Sequence, residues 1–462
     1  MDLVRLVDEK VLSVTEKIFK LLEGGVTYQE FEVDLKQELD GLGCEILKVV
    51  LEETDQRLRE SKERKRQWTV VRKNDPKNML TTFGNLDYVR SYYRHKESKR
   101  YCHLVDEKAG FGPHSRISAN LKAELADSGA MISYEGATKA ASRYNPALKV
   151  SRQTVAGCIK EFKVKEAPVA EEKRKAAVIY IEADEDHIKI RGQKRTQAKL
   201  VYIHEGVAES PRRHLINAQY FATAKKSPDQ LWYELGEYIA SHYDLAGIET
   251  IYLAGDGGKW IKVGLEYIDD AIFVLDKFHL NKHITTATEH AKDLRKFIYR
   301  GIQALNQEAV LNSLREALDR TEGIARKKRI VDTASYIKNN WAGIEAQVKH
   351  PHVGCSAEGH VSHILAARMS SRPMAWSLTG ADHMAQMRTV RANGESVKEH
   401  YLAMQEQAAV ITELKEVVQT ELKRLKERKP LGKEDLNNIP VLNGMRNFTT
   451  MALKGLNERV AI

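Results

Sequence analysis

Apolar residues recur with a helical period at the start of the chain. Leu3, Leu6, Val7, Val11, Val14, Ile18, Leu21 and Leu22 share one helix face, and Gly24-Gly25 ends the run. Thr27 and Glu30 form a capping-box pattern for a second helix. Its stripe is Phe31, Leu35, Leu39, Leu42, Ile46 and Val49, suited to packing or dimerisation. The period changes to two in "LTTFGNLDYVRSYYRH", which places Leu86, Tyr88, Arg90, Tyr92 and Arg94 on one side of a strand. "KESK" then turns into "RYCHLV", predicting a β-hairpin between residues 80 and 105. Residues 116–162 return to helix. "SYEGATKAASRY" is a short helix, Asn145-Pro146 a turn, and "VSRQTVAGCIKEF" a second helix with Ser151 as its N-cap. Residues 163–177, charged and rich in Ala and Pro, form a linker.

Beyond the linker the pattern runs strand, strand, strand, helix, strand, helix, strand. The segments are "AVIYIEADEDHIKI", "AKLVYIHEGVAE", "RHLINAQYFAT", "SPDQLWYELGEYIASHY", "IETIYLAGDGG", "KWIKVGLEYI" and "DAIFVLDKFH". Hairpins followed by crossovers predict a mixed sheet in an α/β (α+β) domain, in the element order of a ribonuclease H-like fold. In that fold the first and fourth strands are central neighbours, which brings Asp184 to Asp256. Two carboxylates so placed repel unless a cation neutralises them. Mg²⁺ fits, because it takes oxygen ligands and keeps waters that a phosphate can replace. Asp186 shares a strand face with Asp184 and is the alternate first ligand. Gly257 and Gly258 leave room for a phosphodiester.

A mostly helical block, residues 286–350, reads as an insertion. After it, "GCSAEGHVSHILAARMSSRPMAWS" places Glu358 at a helix start, able to return to the same metals. Two Mg²⁺ ions, with Mn²⁺ as a substitute, would activate an attacking oxygen and stabilise the leaving one in an in-line displacement. Residues 397–428 predict a long helix. Ile411, Leu414, Val418 and Leu425 approach heptad spacing there, and Glu421 interrupts it.

Composition narrows the class. Of 462 residues 42% are hydrophobic and 30% charged, a globular balance rather than a disordered one. No apolar run is long enough for a bilayer, and "MDLVRLVDEK" does not read as a signal peptide. Four unpaired cysteines point to a reducing, cytoplasmic setting and away from a zinc finger. The net charge of +9 favours a polyanionic partner. "RLRESKERKRQWTVVRKNDPK" sets nine Lys/Arg against three acids, enough to hold phosphates or to solvate a helix end. The helix pair fits a helix-turn-helix with Arg152, Gln153 and Thr154 opening the recognition helix. Lys259, Lys282, Arg368 and Arg372 are further candidates for DNA contact. His279 and His283 stand four apart but have no Cys or third ligand beside them. Trp260 and Trp376 read as core residues, and His360 and His363 as helix-surface or packing residues.

Five segments in order, "IEADEDHIKI", "LAGDGGKWI", "VLDKFHLNKH", "CSAEGHVSHILAARMSSRPMAWS" and "GADHMAQMRTVRA", resemble the ISLre-type insertion-sequence transposases of the mutator-like DDE group. The resemblance covers nearly the whole chain. It implies that Asp184, Asp256 and Glu358 are a catalytic triad of Mg²⁺ ligands, with Asp186 behind Asp184. It also implies that Asp276 and His279 form an accessory D-x-x-H pair, and that the helical block is the family's insertion domain. The implied partners are double-stranded DNA, as terminal inverted repeats and as target, and further copies of the chain. The implied reaction is phosphodiester hydrolysis followed by strand transfer. The expected organisation is a helical region with a basic end (1–75), hairpin (76–112), helix-turn-helix region (113–165), core first part (173–285), helical insertion (286–350), core return with the third acid (351–395) and helical tail (396–462). The alternatives are another Mg²⁺-dependent nuclease or phosphohydrolase, and a DNA-binding protein of transposase origin without catalysis.

Overall fold

Five strands rich in β-branched and aromatic residues build the central sheet: β1 (Val178–Lys189), β2 (Arg195–His204), β3 (Gln219–Thr223), β4 (Thr250–Gly255) and β5 (Ile272–Leu275). The computed structural model describes residues 3–112, 114–164, 172–192 and 195–404. The sheet order is β5-β4-β1-β2-β3. β5, β4 and β1 run parallel, while β2 is antiparallel to both β1 and β3. The protein is thus mixed α and β around a mixed sheet.

Strand alternation gives the sheet two unlike faces. Ile179, Ile181 and Ala183 of β1 join Val201, Ile203 and Leu253 in an apolar cluster under the helix Pro228–His242. That helix starts well. Ser227 and Gln230 close a capping box, Pro228 fills the first turn, and Leu231, Trp232 and Leu235 are buried. The opposite face is polar. Register places Tyr252, Tyr180 and His204 in one row across the sheet. Ala254, Glu182, Tyr202 and Tyr220 form the next row.

The described residues fall into a large unit (3–53, 76–89 and 111–404) and a small one (54–75 and 90–110). In the large unit, helices Ala119–Met131, Tyr134–Tyr144 and Arg152–Glu161 share one buried core with β2, β3 and the helix Leu378–Ala392. Ser118, Ser133 and Ser151 each cap their helix. The block after β5 folds as helices Arg295–Gln303, Gln307–Asp319, Ile324–Asn339 and Trp341–Lys349. These close their own apolar cluster together with helix Lys277–Ala287. At the N-terminus, helices Leu3–Leu22 and Tyr28–Glu60 are joined through the Thr27–Glu30 box.

The hairpin differs from its expectation. Its first strand is Trp68–Thr81, which turns at Thr82-Phe83 into Gly84–His95. Much of the basic run is therefore strand, its period hidden by charged side chains. The "KESK" turn does form, but leads only to the two-residue strand Tyr101–Cys102. The alternation also slips by one: Leu86 and Tyr88 are buried, then Ser91 and Tyr93. In the small unit Asp55 accepts from the Ser91 N–H (3.0 Å) and hydroxyl (2.7 Å), which accounts for the buried serine. Arg90 pairs with Asp106, and Tyr92 stacks on Tyr101 at 5.6 Å. No described helix is long and apolar enough to cross a membrane. A helix is described from residue 397 to residue 404, and the predicted tail beyond it lies outside the described residues.

Candidate active site

β1 and β4 are held in register through Ala183 and Gly255. The next residues along are Asp184, still within β1, and Asp256, just past the end of β4, where neighbouring strands lie roughly 4.8 Å apart. Backbone pairing thus sets the two acids side by side on the polar face. Asp184 is pushed up to about 6, chiefly by burial, and the charge of Asp256 adds to the rise. The N–H of Glu185, 2.8 Å from Oδ1, and the nearby His279 offset only part of it. Asp186 takes another role. Its Oδ1 accepts the Ser370 hydroxyl at 3.0 Å, while its buried Oδ2 has no protein partner.

Asp256 sits on a built turn. Its Oδ1 accepts the Gly258 N–H at 2.8 Å, and its carbonyl accepts the Tyr336 hydroxyl at 2.7 Å. Gly257 has φ +85°, and a Cβ there would meet Asn340 Oδ1 at 2.3 Å. Glycine is required at this position by conformation and by Asn340. The space expected there for a phosphodiester is filled by protein. At the exit of β5, Asp276 caps helix Lys277–Ala287 through the Phe278 N–H (3.1 Å) and holds His279 Nδ1 at 2.7 Å. That bond to Asp276, with the charges of Asp184 and Asp256, raises His279 despite its burial. Burial lowers His283, which stacks on Tyr336 at 4.0 Å.

The third acid comes from a helix rather than a strand. Glu358 lies in the first turn of the short helix Ala357–Val361 and is exposed. Among the described residues no three His, Cys, Asp or Glu side chains are grouped to hold a metal ion. The charges of Asp276, Asp184 and Asp256 all act on His279, so these side chains lie near one another, while Glu358 is exposed at its helix start. Two hard carboxylates, one raised by burial and by its neighbour's charge, still suit Mg²⁺, which commonly takes one or two protein carboxylates and completes its shell with waters and phosphates.

Of the proposed DNA contacts, Lys259, Lys282 and Arg372 are exposed. Arg152 and Gln153 are exposed at a helix start, with Arg152 Nη1 3.8 Å from Glu135, and Thr154 is half-buried. Arg368 is a correction. It is buried, donates to the Gly129 carbonyl at 3.0 Å and packs over the rings of Tyr134 and Trp376, so its cation fastens helices together. Trp260 and Trp376 are core residues, and His360 packs between Tyr202 and Tyr220. Sequence reasoning missed Tyr336 and Asn340, which nothing marks within a helical block. It also missed Glu182, whose signal was available as the first of three acids of equal parity on β1.

Residues 21–407 match the profile of the uncharacterised protein family UPF0236. A UPF0236 protein of Caldanaerobacter subterraneus subsp. tengcongensis is 36% identical over 94% of this chain and 94% of its own length. A second from that organism, whose name joins eleven locus designations, is 36% identical over 92% of this chain and 90% of its own. A UPF0236 protein in the vanSb 3′ region of Streptococcus gallolyticus is 25% identical over 83% of this chain and 87% of its own. The chain belongs to the UPF0236 family.

Proposed function

We propose that the protein is a DDE-type DNA transposase with a ribonuclease H-like core, acting on the ends of an insertion sequence. The observation that carries this reading is that Asp184 and Asp256 directly follow the paired residues Ala183 and Gly255 of adjacent parallel strands, with the charge on Asp184 disfavoured by burial and by Asp256. The strand order β5-β4-β1-β2-β3 with β2 reversed supports it, as does the excess of basic residues. The eleven locus designations joined in one relative's name add support, since many copies in one genome are what transposition leaves behind.

In this reading Asp184 and Asp256 hold Mg²⁺, and Glu358 is the third ligand. The bound ions supply Lewis-acid activation of the attacking oxygen and stabilisation of the leaving one. The chain's own residues orient the parts. Asp276 fixes the ring of His279, Tyr336 braces the Asp256 carbonyl, and Arg152 with Gln153 presents polar groups at a helix start. The carboxylates bind metal and do not attack, so no covalent protein–DNA intermediate forms.

The test uses labelled duplex carrying the element's end, with and without Mg²⁺, and compares the parent with Asp256→Ala. The expected result is end-specific nicking and joining by the parent, with binding alone by the variant. Binding by both with cutting by neither would replace this reading with that of a DNA-binding protein without catalysis. Cutting without end specificity or joining would favour a nuclease.

A further inference from the structure

We infer that Glu182 is a positioning residue: its buried carboxylate fastens the turn bearing Glu358 to the strand bearing Asp184. The inference rests on the proposed role of those two acids.

Glu182 lies two residues before Asp184 on the same face of β1 and is buried. A charged carboxylate inside a sheet persists only when its oxygens are satisfied. Oε1 lies 3.0 Å from His204 Nε2. Oε2 accepts the Tyr202 hydroxyl at 2.6 Å, the Ser356 hydroxyl at 3.1 Å and the Ser356 N–H. Burial opposes the charge, but these bonds outweigh it and hold the carboxyl below its ordinary range. Glu182 therefore has little acceptor capacity left for a metal. What it adds is a directional grip on a main-chain N–H two residues before Glu358.

The helix beginning at Ser356 shows the other half of this arrangement. Ser118, Ser133, Ser151, Ser227 and Ser377 turn their hydroxyls back to cap their own helices. Ser356 occupies the same position but makes no side-chain cap, since its hydroxyl bonds Glu182 and lies 3.0 Å from the Tyr202 hydroxyl. This helix start gives up its own cap to be tied to the sheet. Beyond Glu358, His360 Nδ1 lies 3.1 Å from the Tyr220 hydroxyl, and its ring lies 4.7 Å from that of Tyr202. The segment is thus gripped on both sides of Glu358.

The test measures Mn²⁺ affinity of the full chain by paramagnetic resonance, together with amide hydrogen exchange at residues 356–361. It compares the parent, Asp184→Asn, Asp256→Asn, Glu182→Gln, Glu358→Gln and the double variant Glu182→Gln/Glu358→Gln. A Tyr202→Phe/Ser356→Ala variant trims the same network without altering the buried acid, and serves if Glu182→Gln fails to fold. The expected results are faster exchange at 356–361 and an affinity loss of about tenfold or more. Glu358→Gln should then cost little further in the double variant. Unchanged exchange, or losses that simply multiply, would overturn the role of Glu182 while leaving the metal reading intact. A parent whose Mn²⁺ binding does not depend on Asp184 and Asp256 would overturn the metal reading itself, and the role of Glu182 with it.

Discussion

The two faces of the central sheet are made by alternate residues of the same strands, yet they are held by different forces. Under helix Pro228–His242, Ile179, Ile181 and Ala183 meet Trp232 and Leu235 with no exposed area. Across the sheet, Tyr180 stacks on His204, Glu182 is bonded by Tyr202, His204 and Ser356, and Asp184 accepts from the Glu185 N–H. The apolar face tolerates small shifts, because dispersion and burial have no direction. The polar face fixes atoms in place and leaves unfavourable charge where a ligand can relieve it. One face is held by packing and the other by directed bonds.

The comparison breaks first on activity. Asp256→Asn should lower end cleavage by roughly 1,000-fold or more, about 4 kcal/mol of transition-state stabilisation, with the melting temperature nearly unchanged. Melting and cleavage measured on one preparation decide the matter, and a large drop in melting would make the polar face structural as well. Trp232→Ala works on the opposite face. Trp232 is fully buried and its indole N–H donates to the Trp260 carbonyl at 2.8 Å. Urea unfolding should show a loss of about 3–5 kcal/mol.

Asp184→Asn sharpens the contrast by its sign. A carboxyl raised to about 6 in the fold makes the native state bind more protons than the unfolded chain. Its charge then costs stability progressively as pH rises from about 4 to about 6, and fully above that window. The variant should therefore be more stable than the parent at pH 7 without metal, by on the order of 2 kcal/mol, and equal to it at pH 4. Saturating Mg²⁺ should erase the difference, and a parent that stays less stable in Mg²⁺ would count against Asp184 as a ligand. The smallest effect belongs to Tyr252→Phe, which removes the hydroxyl 3.1 Å from His350 Nδ1. Chemical unfolding should register about 0.5–1.5 kcal/mol.

The sequence made part of this arrangement legible. The Ser151 cap stood out because a hydroxyl before an apolar period has one common use. Asp256 stood out because a carboxylate followed by two glycines ended an apolar strand. Its approach to Asp184 followed from the order of elements. Where one residue type serves opposite ends, the reading failed. Arg368 looked like a surface cation, yet it is sandwiched by Tyr134 and Trp376. Lys and Arg disguised the strand Trp68–Thr81 as a solvated run. Glu182 was indistinguishable by pattern from Asp184, since only the residues packed over a strand decide which of its acids is bonded and which is bare. The predicted heptad positions Ile411, Leu414, Val418 and Leu425 lie outside the described residues.

The bond between Glu182 and Ser356 spans 174 residues. A ribosome adding roughly 5–20 residues per second needs about 10–35 s to cover that distance. During that interval the nascent chain already carries Asp184, and soon Asp256, on a sheet whose polar side has no cover. The grip on the Glu358 turn closes only after the helical block has been made. A polypeptide that ends before residue 356 would carry Asp184 and Asp256 without the Ser356 bond to Glu182.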